Sequence, residues 1–351
     1  MTCKGLECFT TFEDEIKRVL DNIRNDDKWN NEDLHSTALQ FRLLRQHGYN
    51  IPQEWWESTG WGEKLPFVRD RVVENYLWSL GEAFEPKFQN FRSMETRINI
   101  LATCVDDVYD AYGTLDELQL FTTAIDRWDV NAVEHLPDYM KICFLGLFNT
   151  INEMAYVTLK EHGVHILPYL KNKWRDLCQC YMKEARWSHS GYMPTLEEYL
   201  DHAWTSSSIP TLLAHAYFLS TNAITNEELE CIEKCDDIIK WSSMVARLAD
   251  DLGTSWVGDI PKSIQIYMHE TGVSTEDAKE HINYLISEAW KKINEARVVD
   301  SSINGTFVEI VTNMARVSQF MYQHGDGHGH DIGGKNKERV TLLLIEPVPL
   351  K

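Results

Sequence analysis

Amphipathic helical periodicity runs through almost the whole chain and limits its fold more than any other feature. From Phe12 to Ile23, apolar residues recur at the spacing of one helix face. Similar patterns cover 66–82, 92–112, 134–160, 169–187, 195–219, 226–257, 275–297 and 306–323. No segment shows the sustained polar and apolar alternation of a half-buried strand. The sequence therefore predicts an all-α protein.

A break in this pattern divides the chain near residue 53. The stretch 48–62 places Gly, Asn and Pro just before a Trp pair, a composition typical of turns. We expect a short N-terminal segment over 1–53 and a main helical domain over 54–351. The first segment is too short to form a stable domain by itself.

Charge and composition exclude several classes of function. The formal net charge of −20 argues against a nucleic-acid partner, which would require a basic surface. None of the 8 cysteines has the spacing of a zinc site, so they are interpreted as reduced core thiols. No apolar run is expected to span a membrane. The acidic N-terminus lacks the features of a transit peptide, which predicts a cytosolic location for the chain as written.

The strongest local signal is an acidic cluster that ends an apolar helical run. Asp106, Asp107 and Asp110 follow the sequence INILATCV. On a helix, Asp106 and Asp110 share one face, with Asp107 beside them. Crowded carboxylates repel one another, and a hard divalent cation would relieve that repulsion. Acidic triplets are also common on solvated helix faces, so this motif alone leaves both interpretations open.

A second cluster follows about 140 residues later in the chain. Asp250 and Thr254 are four residues apart, so a carboxylate and a hydroxyl can share one metal ion. Arg247 lies one turn earlier and is suited to a forked contact with phosphate. Taken alone, the simpler interpretation is a surface acidic pair with a helix salt bridge.

An arginine pair precedes the first acidic cluster. Arg69 and Arg71 stand at the head of a helical run, about 35 residues before the aspartates. Two arginines at this place could hold an anionic leaving group. An exposed arginine pair on a helix is the ordinary alternative.

Together these motifs resemble those of class I plant terpene synthases. RDR precedes DDVYDAYGTLDELQLFTTAIDRWD, and RLADDLGTS precedes GDIPKSIQIYMHETGVS, in the order and spacing of that family. The tail contains MYQHGDGHG, and the N-terminal FEDEIK also matches. The resemblance covers nearly the whole chain and is greatest to the angiosperm monoterpene synthases, the branch that includes terpineol, limonene, linalool and isoprene synthases.

The resemblance implies a fold, a reaction and a set of site residues. The fold is the class I terpenoid synthase helical bundle, here with a truncated N-terminal segment. The reaction is that of a carbon-oxygen lyase in which three Mg²⁺ ions, with Mn²⁺ as an alternative, ionise a prenyl diphosphate. Asp106, Asp110 and Arg71 would be catalytic. The implied metal ligands are Asp106, Asp107, Asp110, Asp250 and Thr254. The implied diphosphate ligands are Arg69, Arg71, Arg247 and Lys262, and Trp78, Tyr322 and Asp326 would line or close the pocket.

The same resemblance favours geranyl diphosphate, converted to monoterpenes, as the substrate. A sesquiterpene synthase acting on farnesyl diphosphate is the alternative within enzymes. The alternative from another class is an inactive remnant that retains metal or diphosphate binding. We expect a monomer, and the family branch implies a plastid location.

The chain departs from the family pattern at three places. The second metal motif has Gly258 where a third ligand, a glutamate, is usual, and Asp259 is the nearest carboxylate. A long helical stretch is missing between RQHGYNIPQE and WWESTGW. Ile209 stands where a glycine is common before Pro210, and Ile209 cannot take glycine-like dihedral angles at low cost. The missing glutamate predicts little turnover at millimolar Mg²⁺, with diphosphate binding partly retained.

Overall fold

The computed structural model describes residues 54–68, 70–221, 224, 236–255, 261–299, 304–326 and 338–339. Within these ranges the chain is helical and contains no β-sheet, which confirms the predicted fold class. The predictions for residues 1–53, Arg69, Gly258 and Asp259 fall outside the described residues.

The described part of the chain begins with a short helical segment at 54–59, which is followed by twelve α-helices. They are α1 (Trp61–Lys64), α2 (Val72–Glu82), α3 (Gln89–Asp107), α4 (Leu115–Arg127), α5 (Asp138–His162), α6 (Leu167–Ser190), α7 (Leu196–Ser206), α8 (Ile209–Ser220), α9 (Asp236–Gly253), α10 (Ser263–Thr271), α11 (Thr275–Val299) and α12 (Gly305–Tyr322). Short 3₁₀ segments at Pro86–Phe88 and Val130–His135 join some of them.

Periodicity located most of these helices but missed three. The predicted spans do not include the short α1, α4 or α10. The start of α4 has a clear sequence signal, because Thr114 and Glu117 form a reciprocal capping box. The predicted span 195–219 is divided into α7 and α8, and Pro210 lies in the first turn of α8.

One continuous apolar core joins the helices and brings the site residues together. The α9 helix packs between α11 and α12, and α12 also packs on α2. The α3 helix contacts α2, α5 and α8. These contacts hold the carboxyl end of α3 near the carboxyl ends of α9 and α12, although the three helices are far apart in the sequence.

One described helix meets the length and hydropathy of a membrane span, contrary to the expectation from sequence. This helix is α5, whose mean hydropathy reaches 1.3. Its buried side chains include Cys143, Phe144, Leu147 and Ile151, which pack against neighbouring helices. A core helix passes the same test, so this is weak evidence for a membrane span. Cys143 lies in this core beside Cys104 of α3, and their sulfurs are 3.3 Å apart, within hydrogen-bond distance and without a disulfide.

Candidate functional site

A cavity at the carboxyl ends of α3, α9 and α12 is lined by five of the predicted site residues. Its volume is about 120 Å³. Its lining includes Trp78, Asp106, Arg247, Asp250 and Tyr322. These residues come from four helices, so tertiary packing alone assembles the cavity.

The first acidic motif lies where α3 changes its winding. The α3 helix ends at Asp107, and the chain continues as a single π-helical turn, Val108–Tyr112. The Gly113 amide donates to the Val108 carbonyl over 2.9 Å, the five-residue spacing of that winding. Asp110 therefore does not occupy the regular α-helical position assumed from the sequence. Such turns often occur at functional sites.

The charges of Asp106 and Asp110 still repel each other across this turn. Burial raises the pKa of Asp106, although a hydrogen bond from Tyr181 and the charges of Arg247 and Arg71 oppose the rise. Loss of hydration raises the pKa of Asp110 well above its usual range, and the Asp106 and Glu184 charges add to this rise. The Asp110 residue nevertheless keeps an exposed surface. A bound dication would offset this crowding of negative charge.

Arg71 contacts the first motif from α2. It is the residue immediately before α2 and is buried, with only 8% of its surface exposed. One guanidinium nitrogen lies 3.6 Å from the carboxylate of Asp107. The structure thus places Arg71 beside the acidic motif, while its implied role as a diphosphate ligand stays a prediction.

The second motif is formed at the end of α9, and basic side chains cover its two predicted ligands. Arg247 forms an ion pair with Asp250 through one terminal nitrogen. The Lys262 ammonium contacts the hydroxyl of Thr254. The Thr254 hydroxyl also donates to the Asp250 carbonyl over 2.7 Å, which fixes it beside that aspartate.

Each described basic residue with a predicted diphosphate role therefore contacts a residue with a predicted metal role. Loading such a site would exchange these partners, because the dications would take the carboxylates and the diphosphate would take the cations. Among the residues that the structure describes, no three His, Cys, Asp or Glu side chains converge closely enough to hold a metal alone. This donor set fits Mg²⁺, which usually binds one or two carboxylates and completes its shell with phosphate and water.

Trp78 and Tyr322 form an aromatic wall of the cavity. Their ring centroids are 6.1 Å apart in an edge-to-face arrangement. Asp326 lies close enough to Tyr322 and Lys262 for its charge to raise the pKa of both groups, although burial lowers that of Lys262 overall. The chain from Tyr322 to Asp326 thus lies across the end of α9.

This segment approaches α9 so closely that Gly253 has no room for a side chain. A Cβ at Gly253 would lie 3.0 Å from the Tyr322 carbonyl oxygen and 3.1 Å from that of Gly325. The Gly253→Ala variant should therefore displace the segment and lower kcat/KM by about ten- to a hundredfold, because small misplacements at a site are costly. Steady-state kinetics and a melting curve would measure this.

The matched control for that prediction is Gly62→Ala. A Cβ at Gly62 meets only a ring atom of Trp56, at 3.8 Å. This variant should leave kcat/KM unchanged. Equal kinetics for both variants would show that the contact of the segment with α9 has no part in the reaction.

The break between α7 and α8 lies beside the cavity, and its strained residue is not the one expected. Ser208 adopts the left-handed conformation, with φ 64°, whereas Ile209 is the first residue of α8. The expectation that Ile209 would have to take glycine-like angles is therefore wrong. Ser208 bears the strain, which costs of order 1–3 kcal/mol for a non-glycine residue.

Sequence reasoning missed three residues beside the two motifs, namely Tyr181, Glu184 and Tyr199. Tyr181 and Glu184 on α6 face the first motif, and Glu184 accepts from Ser206 over 2.6 Å. Tyr199 on α7 contacts Asp251, the second aspartate of the α9 pair. No local motif marks these residues, because α6 and α7 reach the site only through helix packing.

Two family models match the chain and together cover most of it. The model described as "Terpene synthase family, metal binding domain" matches residues 57–292. The model "Terpene synthase, N-terminal domain" matches residues 6–58. The predicted boundary near residue 53 stays a prediction.

Two curated relatives share high identity with the chain. The (−)-alpha-terpineol synthase of Vitis vinifera is 41% identical over 471 positions, covering 96% of this chain and 80% of the relative. Because this chain has 351 residues, over a hundred of those positions have no residue here. The chloroplastic myrcene synthase of Quercus ilex is 51% identical over 336 residues, covering 91% of this chain and 55% of the relative.

A solved structure shares the fold. The isoprene synthase of grey poplar (Populus x canescens), in complex with three Mg²⁺ ions and dimethylallyl-S-thiolodiphosphate, superposes with a TM-score of 0.83 at 39% identity. This match covers 94% of the chain and 64% of the isoprene synthase. The chain thus spans somewhat more than half the length of these last two proteins.

Proposed function

The chain belongs to the terpene synthase family and contains its metal-binding domain, and we propose that it ionises geranyl diphosphate with Mg²⁺ and releases diphosphate. The observation that carries this proposal is that both acidic motifs contribute to one aromatic-walled cavity, while three basic residues contact the motifs. Acidic and basic groups so paired are suited to a ligand that brings metal ions and phosphate together.

The described residues would have two roles in this reaction, metal binding and diphosphate binding. Asp106 and Asp110 would hold metal from α3, and Asp250 and Thr254 would hold it from α9. Bound Mg²⁺ would supply positive charge that stabilises the diphosphate as its bond to carbon breaks. Arg71, Arg247 and Lys262 would hold the diphosphate, so that the leaving group stays in a fixed position.

The hydrocarbon part of the substrate would occupy the cavity beside Trp78 and Tyr322. Ionisation leaves an allylic cation there, and each aromatic face can stabilise a cation by about 0.5–2 kcal/mol. Trp78 is only 6% exposed and Tyr322 lines the same wall, so water has little access to that side. Loss of a proton or capture of water would then end the reaction.

Three Mg²⁺ ions, with Mn²⁺ as an alternative, are part of the proposal. The isoprene synthase structure supports the number three for a relative. In this chain the second motif offers Asp250 and Thr254, while Gly258 and Asp259 lie outside the described residues. Losing one charged ligand typically weakens binding by about 1–3 kcal/mol, so we expect an unusually high Mg²⁺ requirement.

Product analysis tests the proposal directly. Purified protein with geranyl diphosphate should release volatile C10 products when Mg²⁺ is raised well above ordinary assay levels, and chelation should abolish them. C15 products from farnesyl diphosphate alone would favour a sesquiterpene synthase. No product from either substrate, with pyrophosphate still bound, would favour an inactive remnant and contradict the proposal.

Restoring the third ligand tests the effect of the departure in the second motif. Gly258→Glu, combined with the loop residues usual in the family, should lower the Mg²⁺ concentration for half-maximal binding by about five- to a hundredfold. A Mg²⁺ titration followed by the melting temperature would measure this. An unchanged titration would show that another group, such as Asp259, already fills the position.

A plastid location and a monomeric state complete the proposal. The chloroplastic label of the Quercus ilex relative supports the first. A fluorescent fusion of the gene product in leaf cells would test the location, and light scattering would test the monomer.

A further inference from the structure

Asp251 is the most completely enclosed carboxylate of the site, and it is not among the residues that line the cavity. Its side chain is 0% exposed. The Tyr199 hydroxyl lies 3.1 Å from each carboxylate oxygen. The Ser263 amide donates to Oδ2 over 3.2 Å. These contacts join α7, α9 and α10 at one buried point.

Two contacts of Asp251 connect it to the basic residues Arg247 and Lys262. The Arg247 Nε lies 3.3 Å from Oδ1 of Asp251. Ser263 begins α10 directly after Lys262, so the bond from its amide fixes the backbone from which Lys262 reaches Thr254. Asp251 therefore holds both Arg247 and the base of Lys262.

Asp250 and Asp251 hold Arg247 by different atoms. A terminal nitrogen of Arg247 contacts Asp250, and Nε faces Asp251. A metal ion that takes Asp250 must displace the first contact. It cannot take Asp251 in the same way, because that side chain is enclosed by Tyr199 and Ser263.

We infer that Asp251 is a positioning residue for diphosphate: it keeps Arg247 and Lys262 in the site after their other partners pass to metal ions. This inference rests on the proposed function, since it assumes that these two cations bind the diphosphate. The two neighbouring aspartates then have different roles: Asp250 binds a metal ion, and Asp251 positions the basic side chains.

Pyrophosphate binding tests this role, because position and net charge predict opposite results. Asp251→Asn keeps the shape and removes one negative charge. Charge alone predicts tighter binding of an anion, whereas loss of positioning predicts weaker binding. We expect calorimetry to show affinity for pyrophosphate lowered about tenfold or more, with and without Mg²⁺, as for a lost charge-assisted contact.

Two variants serve as controls. Asp201→Asn also removes one negative charge, but at an exposed position of α7, so its pyrophosphate affinity should stay within about threefold of the parent. Asp250→Asn should not weaken pyrophosphate binding without Mg²⁺, because it releases Arg247. With Mg²⁺ present, however, Asp250→Asn should lose part of the increase in pyrophosphate affinity that Mg²⁺ gives the parent.

Several outcomes would overturn the inference. One is a folded Asp251→Asn protein that binds pyrophosphate as tightly as the parent or more tightly. Another is equal behaviour of the Asp250 and Asp251 variants without metal. If Asp251→Asn does not fold, Asp251→Glu, which moves the charge by one methylene, should weaken pyrophosphate binding in the same direction, and unchanged binding would again overturn it.

The readout separates this inference from the proposed function. A chain without turnover of geranyl diphosphate, whose pyrophosphate binding depends on Asp251, would contradict the function and support the positioning role. The opposite result is a parent that turns over geranyl diphosphate and an Asp251→Asn variant that binds pyrophosphate as well as the parent does. That result would support the proposed function and contradict the positioning role.

Discussion

Replacing Asp106 or Asp110 by asparagine should remove nearly all turnover while the protein stays folded. Both carboxylates are crowded, and burial and mutual repulsion raise the pKa of Asp110 well above its usual range. Removing one charge should therefore leave the metal-free protein at least as stable as the parent. Metal ions at such a site contribute several kcal/mol to the transition state, so we expect about a 10³-fold loss in kcat/KM.

Kinetics and melting curves with and without Mg²⁺ would measure this result. The parent should melt at a higher temperature with Mg²⁺ and pyrophosphate, and each variant should lose most of that gain. Asp201→Ala is the matched control, because Asp201 is exposed in the middle of α7. Variants that keep the turnover of the parent would exclude these carboxylates as metal ligands.

The second large effect concerns stability and a buried pair of glutamates that are not among the residues lining the cavity. Glu82 on α2 and Glu95 on α3 are both 0% exposed, and none of their four carboxylate oxygens has a hydrogen-bond partner among the residues that the structure describes. Burial raises the pKa of Glu82 to about 8. Burial, together with the charge of Glu82, raises the pKa of Glu95 well above its usual range.

The groups around this pair do not neutralise it. Arg92 is buried on the same face of α3, but its Nη1 donates to the carbonyls of Ala83 and Glu85 over 2.7 and 2.8 Å. From α12, the amide of Asn313 donates to the Glu82 backbone carbonyl over 3.0 Å rather than to its carboxylate. The pair is therefore expected to keep its protons at neutral pH.

Stability should therefore fall as pH rises. The folded protein holds protons that the unfolded chain releases near pH 4.3, because each folded pKa is above the unfolded value. The contribution of Glu82 is fully present below that unfolded pKa and is lost as pH rises to about 8. Each retained proton changes the free energy of unfolding by about 1.4 kcal/mol per pH unit in this window.

Denaturant unfolding of the parent and of Glu82→Gln, at pH 6 and pH 8, would test this. Glutamine stays neutral, so the variant should be less sensitive to pH and should be more stable than the parent at pH 8 by about 1–3 kcal/mol. Glu280→Gln, an exposed glutamate of α11, is the control and should follow the parent. A parent whose stability does not fall between these pH values would contradict the prediction.

Several features were predictable because their signals are local. The helices follow from the spacing of apolar residues, and the turns follow from Gly, Asn and Pro. The family follows from short motifs such as DDVYD and RLADDLGTS, and the matched family models confirm it. The pairing of Asp250 with Thr254 was also predictable, because residues four apart on a helix are neighbours.

The sequence by itself determined the helical class, the family and which acidic and basic residues are candidates, because these depend on spacings of a few residues. Only the tertiary structure decided which cation contacts which carboxylate, since Arg71 and Asp107 meet through the packing of α2 on α3. It also decided that Asp251 lies buried against Tyr199 while Asp250 lines the cavity, although the two are adjacent in sequence. Successive helix positions point about 100° apart, so the neighbouring helices give two identical residues different surroundings and different chemistry.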